Sequence, residues 1–382
     1  MSKRLRVGWV CNSAIEISET FLLDNLKLLQ TFADVKAISG NKPRGDEHPD
    51  ITALDFDDVP QSFYHVLRRK FTGKDVRTLK KRQQCKQQLQ QELHSFEPDF
   101  LWIEFGTTAH IASDLLAALN KPYCIAVHGF DVTREFCDPW YREEFVRLAN
   151  ASLAVVCASK HTRNLCLAAG VDQEQCKVVR LPVDGIKFKP APHPPSSPAS
   201  FVHFGRLVEK KGPVQTLLAF EQVLKVIPDA TLTIIGDGPL RETLEKRISK
   251  LEINESTRLT GALPQNEALN LVREHAVFCQ HSVTGTNGDQ EGFALSPAEA
   301  ALMELPVVST LHNGIPEHVI QGETGLLVRE WDIEGMAEAM IDLATNPEKA
   351  MKMGKAGRQN ILTLCDPTSR KSNLQSLFSS TL

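Results

Sequence analysis

A chain of 382 residues is too long for one ordinary hydrophobic core, so its length points to two domains. Hydrophobic content of 42% is normal for a globular protein, and a formal charge of −4 does not suggest a nucleic-acid binder. No apolar run approaches the roughly 20 residues of a membrane helix, and the nine cysteines show no CxxC pair and no Cys/His cluster at zinc spacing, so reduced thiols in a cytoplasm are expected, mostly as small core residues.

The first stretch, MSKRLRVGWVCNSA, is basic and then apolar. Its apolar run is too short for a signal peptide and is predicted as a first buried strand. Further strands are predicted at DVKAIS, DFLWIEF, YCIAVHG, LAVVCAS and KVVRLP, with helical spacing in TFLLDNLKLLQ and TAHIASDLLAALN between them. Strands alternating with helices imply βαβ units and a parallel sheet. Residues 65–91, HVLRRKFTGKDVRTLKKRQQCKQQLQQ, are strongly basic. They read either as a solvated helix face or as a surface that meets anionic lipid or an anionic acceptor. In CIAVHGFDVTRE, His128 stands at a strand's carboxyl end. It is either a cleft residue or a core histidine satisfied by backbone. Asp131 would orient it or cap the following turn.

Residues 187–200, KFKPAPHPPSSPAS, carry five prolines and form neither a packed helix nor a central strand. They are expected to link a domain at 1–186 to one at 201–365, with a weakly helical end at 366–382. The alternation restarts after them, with strands predicted at FVHFGR, TLTIIGDG, TRLTGAL, VFCQHS, PVVST and TGLLV. The expected fold is therefore α/β: two Rossmann-like, doubly wound parallel-sheet domains facing across a cleft.

The second half holds the stretches suited to chemistry. In FGRLVEKKG, Gly205 lets the backbone approach a ligand, Arg206 offers a fork of donors for phosphate oxygens, and Lys211 adds a point charge before a helix start. A surface turn with two exposed cations is the plainer alternative. TIIGDGPL is not a dinucleotide fingerprint and reads as a tight connection. In GDQEGFALSPAEA, Ser296, Pro297 and Glu299 spell a helix start with a capping box. Glu291, beside Gly292, has no capping duty, and the amides of Phe293, Ala294 and Leu295 are placed to meet an anion. Amides for phosphate, with one acid before them and one behind, suit a sugar diphosphate.

These residues resemble the retaining glycosyltransferases of family 4, which have the GT-B architecture. EGFALSPAE is similar to the family's E-x7-E signature and GRLVEKKG to its GR-x4-KG motif. LPVDGIKFKP and LPVVSTLHNGIPEHVIQGETGLLV are similar to the segments before and after. SETFLLDNL and GDQEG resemble the branch that builds cell-surface polysaccharides. One departure is CNSAIEISETF, which lacks the Gly-Gly loop many members use on the donor phosphate; Ser18, Glu19 and Thr20 stand in its place. The resemblance implies that Arg206 and Lys211 bind the diphosphate, Glu291 the transferred hexose, and Glu299 the ribose. His128, from the opposite domain, would sit beside the sugar once the domains approach. It implies transfer with retention from a nucleoside-diphosphate sugar, without a separate general base, metal or other cofactor. The acceptor would be a glycan or lipid-linked molecule, handled in the cytoplasm with a peripheral contact at the inner face of the plasma membrane through residues 65–91. The final helix would cross back to the first domain. A sugar-nucleotide epimerase, a phosphorylase and a non-catalytic nucleotide-sugar-binding subunit are the competing readings.

Overall fold

The structure, a computed structural model, describes residues 4–12, 20–40, 51–54 and 75–379, with side chains at 4–12, 21–40, 51–54 and 86–378. Ser18 and Glu19, the side chain of Thr20 and most of the basic stretch 65–91 therefore lie outside the described residues. Two compact units emerge: Met1–Pro182 with Pro367–Leu382, and Val183–Asp366.

The first unit is built on a parallel sheet of seven strands, β1 (Leu5–Cys11), β2 (Ala33–Ser39), β3 (Ile51–Ala53), β4 (Phe100–Glu104), β5 (Tyr123–Val127), β6 (Ala154–Cys157) and β7 (Cys176–Val178), in the order β3-β2-β1-β4-β5-β6-β7. Every strand expected from the sequence is present. β3 was not expected: three half-buried residues on the sheet edge are too short to show a pattern. Helices α1 (Thr20–Gln30), α2 (Asp75–Phe96), α3 (Gly106–Ile111), α4 (Ser113–Leu119), α5 (Pro139–Asn150) and α6 (Lys160–Ala169) alternate with the strands. β4, β5 and β6 are buried at every position, as parallel strands covered on both faces must be. Along β1 the faces alternate: Val10 joins a core with Ile103, Ile125 and Val155, while Val7, Trp9 and Cys11 join one with Phe100, Trp102 and Ala126. The stretch expected as one helix over 108–120 is two, broken at Ala112, and the bend lets Ile111, Ala112, Leu115 and Leu116 reach one core.

The second unit repeats the plan with β8 (Ser200–Phe204), β9 (Thr231–Ile235), β10 (Thr257–Gly261), β11 (Val277–Cys279), β12 (Val307–Thr310) and β13 (Gly325–Val328), ordered β10-β9-β8-β11-β12-β13. Its helices are α7 (Pro213–Leu224), α8 (Arg241–Lys250), α9 (Gln265–Arg273), α10 (Leu295–Leu302), α11 (Ile333–Thr345) and α12 (Pro347–Leu364). Phe201, Leu217, Phe220, Ile234, Val277, Val308 and Met340 fill its core.

The division falls at Pro182/Val183, ahead of the expected 186/187. The reason is a set of carbonyls held from within the second unit. Arg358 donates to Gly185 and Phe188, and Arg273 donates to Lys187 and Lys189. The terminal helix Pro367–Ser379 belongs to the first unit. Its Leu374 and Phe378 enter the Trp9/Phe100/Trp102 core, with the Phe378 ring 4.6 Å from that of Phe100. Among the described residues no helix is long and apolar enough to cross a membrane.

Candidate functional site

In the second unit the carboxyl ends of β8, β11, β12 and β13 carry a polar cluster, where ligands of open parallel sheets bind. The chain leaves β8 through Gly205 and makes a turn of 3-10 helix at Glu209–Lys211. Gly212 closes the turn at φ 57, and a Cβ there would lie 1.7 Å from the His281 carbonyl oxygen, so only glycine fits. The turn's side chains hold successive points of the segment after β11. The Glu209 carboxylate accepts from the Thr286 amide and hydroxyl at 2.8 and 2.7 Å. Lys210 pairs with Asp289 at 3.1 Å. The Lys211 stem passes over Gly205, and its ammonium lies 3.1 Å from Glu291 Oε1 and donates to Ser296 Oγ at 3.2 Å.

Glu291 is 7% exposed. Burial pushes its carboxyl up, but the charges of Lys211 and Lys210 outweigh that and hold it at about 2. Its Oε1 is within ion-pair distance of Lys211 yet accepts no aligned hydrogen bond, so it keeps acceptor capacity for a hydroxyl. His203, fully buried on β8, donates from Nδ1 to the Cys279 carbonyl, and its Nε2 has no partner among the described residues. Burial, with the Lys211 charge, brings it down to about 3.

The expected capping box does not form. α10 begins at Leu295 with Ala294 as its N-cap in the left-handed region at φ 62, and no side chain caps it. Ser296 lies inside the first turn, where its hydroxyl accepts from Lys211 rather than from the backbone. Glu299 sits one turn in, half-buried. The amides of Phe293, Ala294 and Leu295 make no hydrogen bond with the described residues. Arg206 is exposed, and its guanidinium pairs with no described residue. The structure thus gathers Gly205, Lys211, Glu291, Gly292 and the 293–295 amides, while Arg206 stands apart from the buried pair.

In the first unit His128 follows β5. Its ring packs against Phe21 and Phe105, centroids 4.9 Å away in each case, and Nε2 donates to Glu104 Oε2 at 2.7 Å. Nδ1 is buried without a partner among the described residues. Of the two expectations for Asp131, the structure takes the turn-shaping one, and no bond to the His128 ring is made. Asp131 accepts from the amides of His128, Gly129 and Gly106, shaping the turn. Glu104 orients it instead, and the sequence reading had missed it. Its other oxygen accepts from Trp9, Trp102 and Asn25 at 3.1, 2.8 and 2.6 Å. Burial pushes this carboxyl up, but the hydrogen bond and charge of His128, with the bonds from Trp102 and Asn25, bring it below its usual value. The signal was an acid inside the apolar run DFLWIEF: a buried charge has to have partners. Among the described residues no His, Cys, Asp or Glu group is arranged to hold a metal ion.

Residues 186–360 match the family of glycosyl transferases, group 1. The Escherichia coli (strain K12) protein whose name assigns it to colanic acid biosynthesis as glycosyltransferase WcaL is 29% identical over 248 residues, which are 64% of this chain and 61% of that protein. The chain thus spans about three fifths of that relative's length. The amylovoran biosynthesis glycosyltransferase AmsK of Erwinia amylovora is 27% identical over 274 residues, 70% of this chain and 67% of that one. In fold, the crystal structure of Anabaena Alr3699/HepE in complex with UDP and glucose is similar with a TM-score of 0.77 at 18% identity, covering 98% of this chain and 100% of that one. The two Rossmann-like units have the GT-B fold, and residues 186–360 are similar to the glycosyl transferases of group 1.

Proposed function

We propose that the chain is a retaining glycosyltransferase that moves a hexose from a nucleoside-diphosphate sugar to a glycan or lipid-linked acceptor in cell-surface polysaccharide biosynthesis. The observation that carries this is the juxtaposition of the 293–295 amides, which no described residue bonds, with the buried Lys211–Glu291 pair, whose Glu291 Oε1 accepts no aligned hydrogen bond from the described residues. Amides and ammonium suit phosphate oxygens, and a carboxylate held ionised suits hydroxyl donors. In this reading Arg206 and Lys211 bind the diphosphate and stabilise the leaving group's charge. Glu291 contacts the transferred sugar and Glu299 the ribose. His128, held by Glu104, serves the transfer step. The relatives' names support the polysaccharide setting, and UDP and glucose in the Anabaena complex support a nucleotide-sugar donor.

The test is a thermal melt with UDP, GDP and ADP, then with matching sugar donors, followed by nucleotide release with acceptor. A ligand specific for the native state adds about 2.7 kcal/mol at 100 times its dissociation constant. Lys211→Ala should abolish the shift. His128→Ala should keep it and lose transfer. Donor conversion without an acceptor would replace this reading with an epimerase, and binding without turnover would replace it with a non-catalytic subunit. The basic stretch 65–91 is proposed to meet anionic lipid; replacing its lysines and arginines should then lower binding to phosphatidylserine vesicles, and unchanged binding returns it to a solvated face.

A further inference from the structure

We propose that His312 and Glu330 are positioning residues that fix Glu291 beside the donor's sugar; the second half of this statement rests on the donor-site reading above. Both follow strands of the second sheet: His312 comes after β12 and Glu330 after β13. His312 is fully buried. Its Nε2 accepts from the Glu291 amide at 3.2 Å and lies 2.9 Å from Asn313 Nδ2. Its Nδ1 is 2.6 Å from Glu330 Oε1.

These contacts leave one arrangement of protons. Two N–H donors face Nε2, so that nitrogen presents its lone pair. Nδ1 then carries the proton and donates it to Glu330, whose other oxygen accepts from the Thr284 amide at 2.8 Å. Burial pushes the Glu330 carboxyl up, but the hydrogen bonds from His312 and Thr284 bring it below its usual value, so it remains an acceptor. A ring with a proton on Nε2 would oppose the Glu291 amide and push the residue away.

The surrounding chain is shaped for the same contact. Asn313 takes a left-handed φ of 49 and also donates to Gln290 Oε1 at 2.8 Å. Gly314 lies on the Gly292 carbonyl, where a Cβ would come within 2.2 Å of the oxygen. The run His312-Asn313-Gly314 therefore tracks Gln290-Glu291-Gly292. Lys211 holds the Glu291 side chain, while His312 holds its backbone, and both constraints are needed to aim a carboxylate.

The test uses the full chain labelled with 15N-histidine. Long-range 1H–15N correlations should show the His312 ring, identified by its loss in His312→Gln, protonated at Nδ1 and bare at Nε2. A proton on Nε2 overturns the proposal. Hydrogen exchange over 290–293 should speed up about tenfold in His312→Ala, the worth of one lost hydrogen bond. It should stay near wild type in His312→Gln, whose amide oxygen has the reach of Nε2. Unchanged exchange in the alanine variant overturns the proposal. If that variant does not fold, His312→Asn, polar but too short, takes its place. Finally, with the nucleotide selected by the melt, the affinity gained from the attached sugar should fall about tenfold in His312→Ala, with most of it restored in His312→Gln. An unchanged gain overturns the sugar-side role. If the wild-type chain binds no nucleotide sugar, the donor-site reading falls, while the ring and exchange measurements still decide whether His312 positions Glu291.

Discussion

Glu291 shows how one buried charge depends on its neighbour. Its carboxyl is held at about 2 against an ordinary 4.5. A depressed folded value contributes stability above the ordinary value and loses it as pH falls through the folded one. Acidification from 4.5 towards 2 should therefore weaken the wild-type chain through this group. Lys211→Ala leaves burial as the dominant influence, so the carboxyl should rise above its ordinary value. The variant should lose about 3 kcal/mol near neutral pH, and mild acid should then stabilise this site rather than weaken it. Urea melts across pH, with 13C titration of labelled glutamate, check both signs; matching pH trends in the two proteins would remove Lys211 as the cause. Lys211 and Glu291 were legible in sequence because glycine-bearing turns flank them. His203, His312 and Glu330 were not, because nothing local shows that β8, β12 and β13 end at the same place.

Elements tell a similar story about helix starts. SPAE has the residues of a capping box, and yet α10 starts two residues earlier than that box would place it, with Ala294 as N-cap. The serine hydroxyl has found a stronger donor in Lys211. At α6, by contrast, Ser159 and Thr162 do form the reciprocal cap. Ser159→Ala should cost about 1 kcal/mol as a lost cap. Ser296→Ala should cost only what the Lys211 contact contributes, so its effect should vanish in a Lys211→Met background; a cost that persists there would restore Ser296 as a cap. Strands were the most legible elements, since their buried runs are short, apolar and rich in Val and Ile. The edge strand β3 was not, because three residues cannot display a period.

At the scale of the molecule, the chain's end completes its beginning. Arg370 on the terminal helix donates to the Val179 and Arg180 carbonyls and, from Nε and Nη2, to Asn25 Oδ1. Asn25 donates in turn to Glu104, which holds His128. Arg370→Ala would leave buried acceptors without donors and should cost about 3 kcal/mol or more. Hydrogen exchange should rise in α1 and β4, while strands β8 to β10 keep their protection; a uniform rise across both units would deny the local role. The sequence by itself determined the alternation of strands and helices, the repetition of one plan, and the turn residues around Lys211 and Glu291. Those features are written in periodicity and in glycine, proline and charge placed within a few positions of one another. Only the tertiary structure decided that Glu104 rather than Asp131 orients His128, that the chain divides at Pro182/Val183, and that His312 and Glu330 meet the Glu291 backbone. Hydrogen-bond partners far apart in sequence are selected by which strand ends adjoin and by which buried groups still need a donor, and neither is visible until the sheets are ordered.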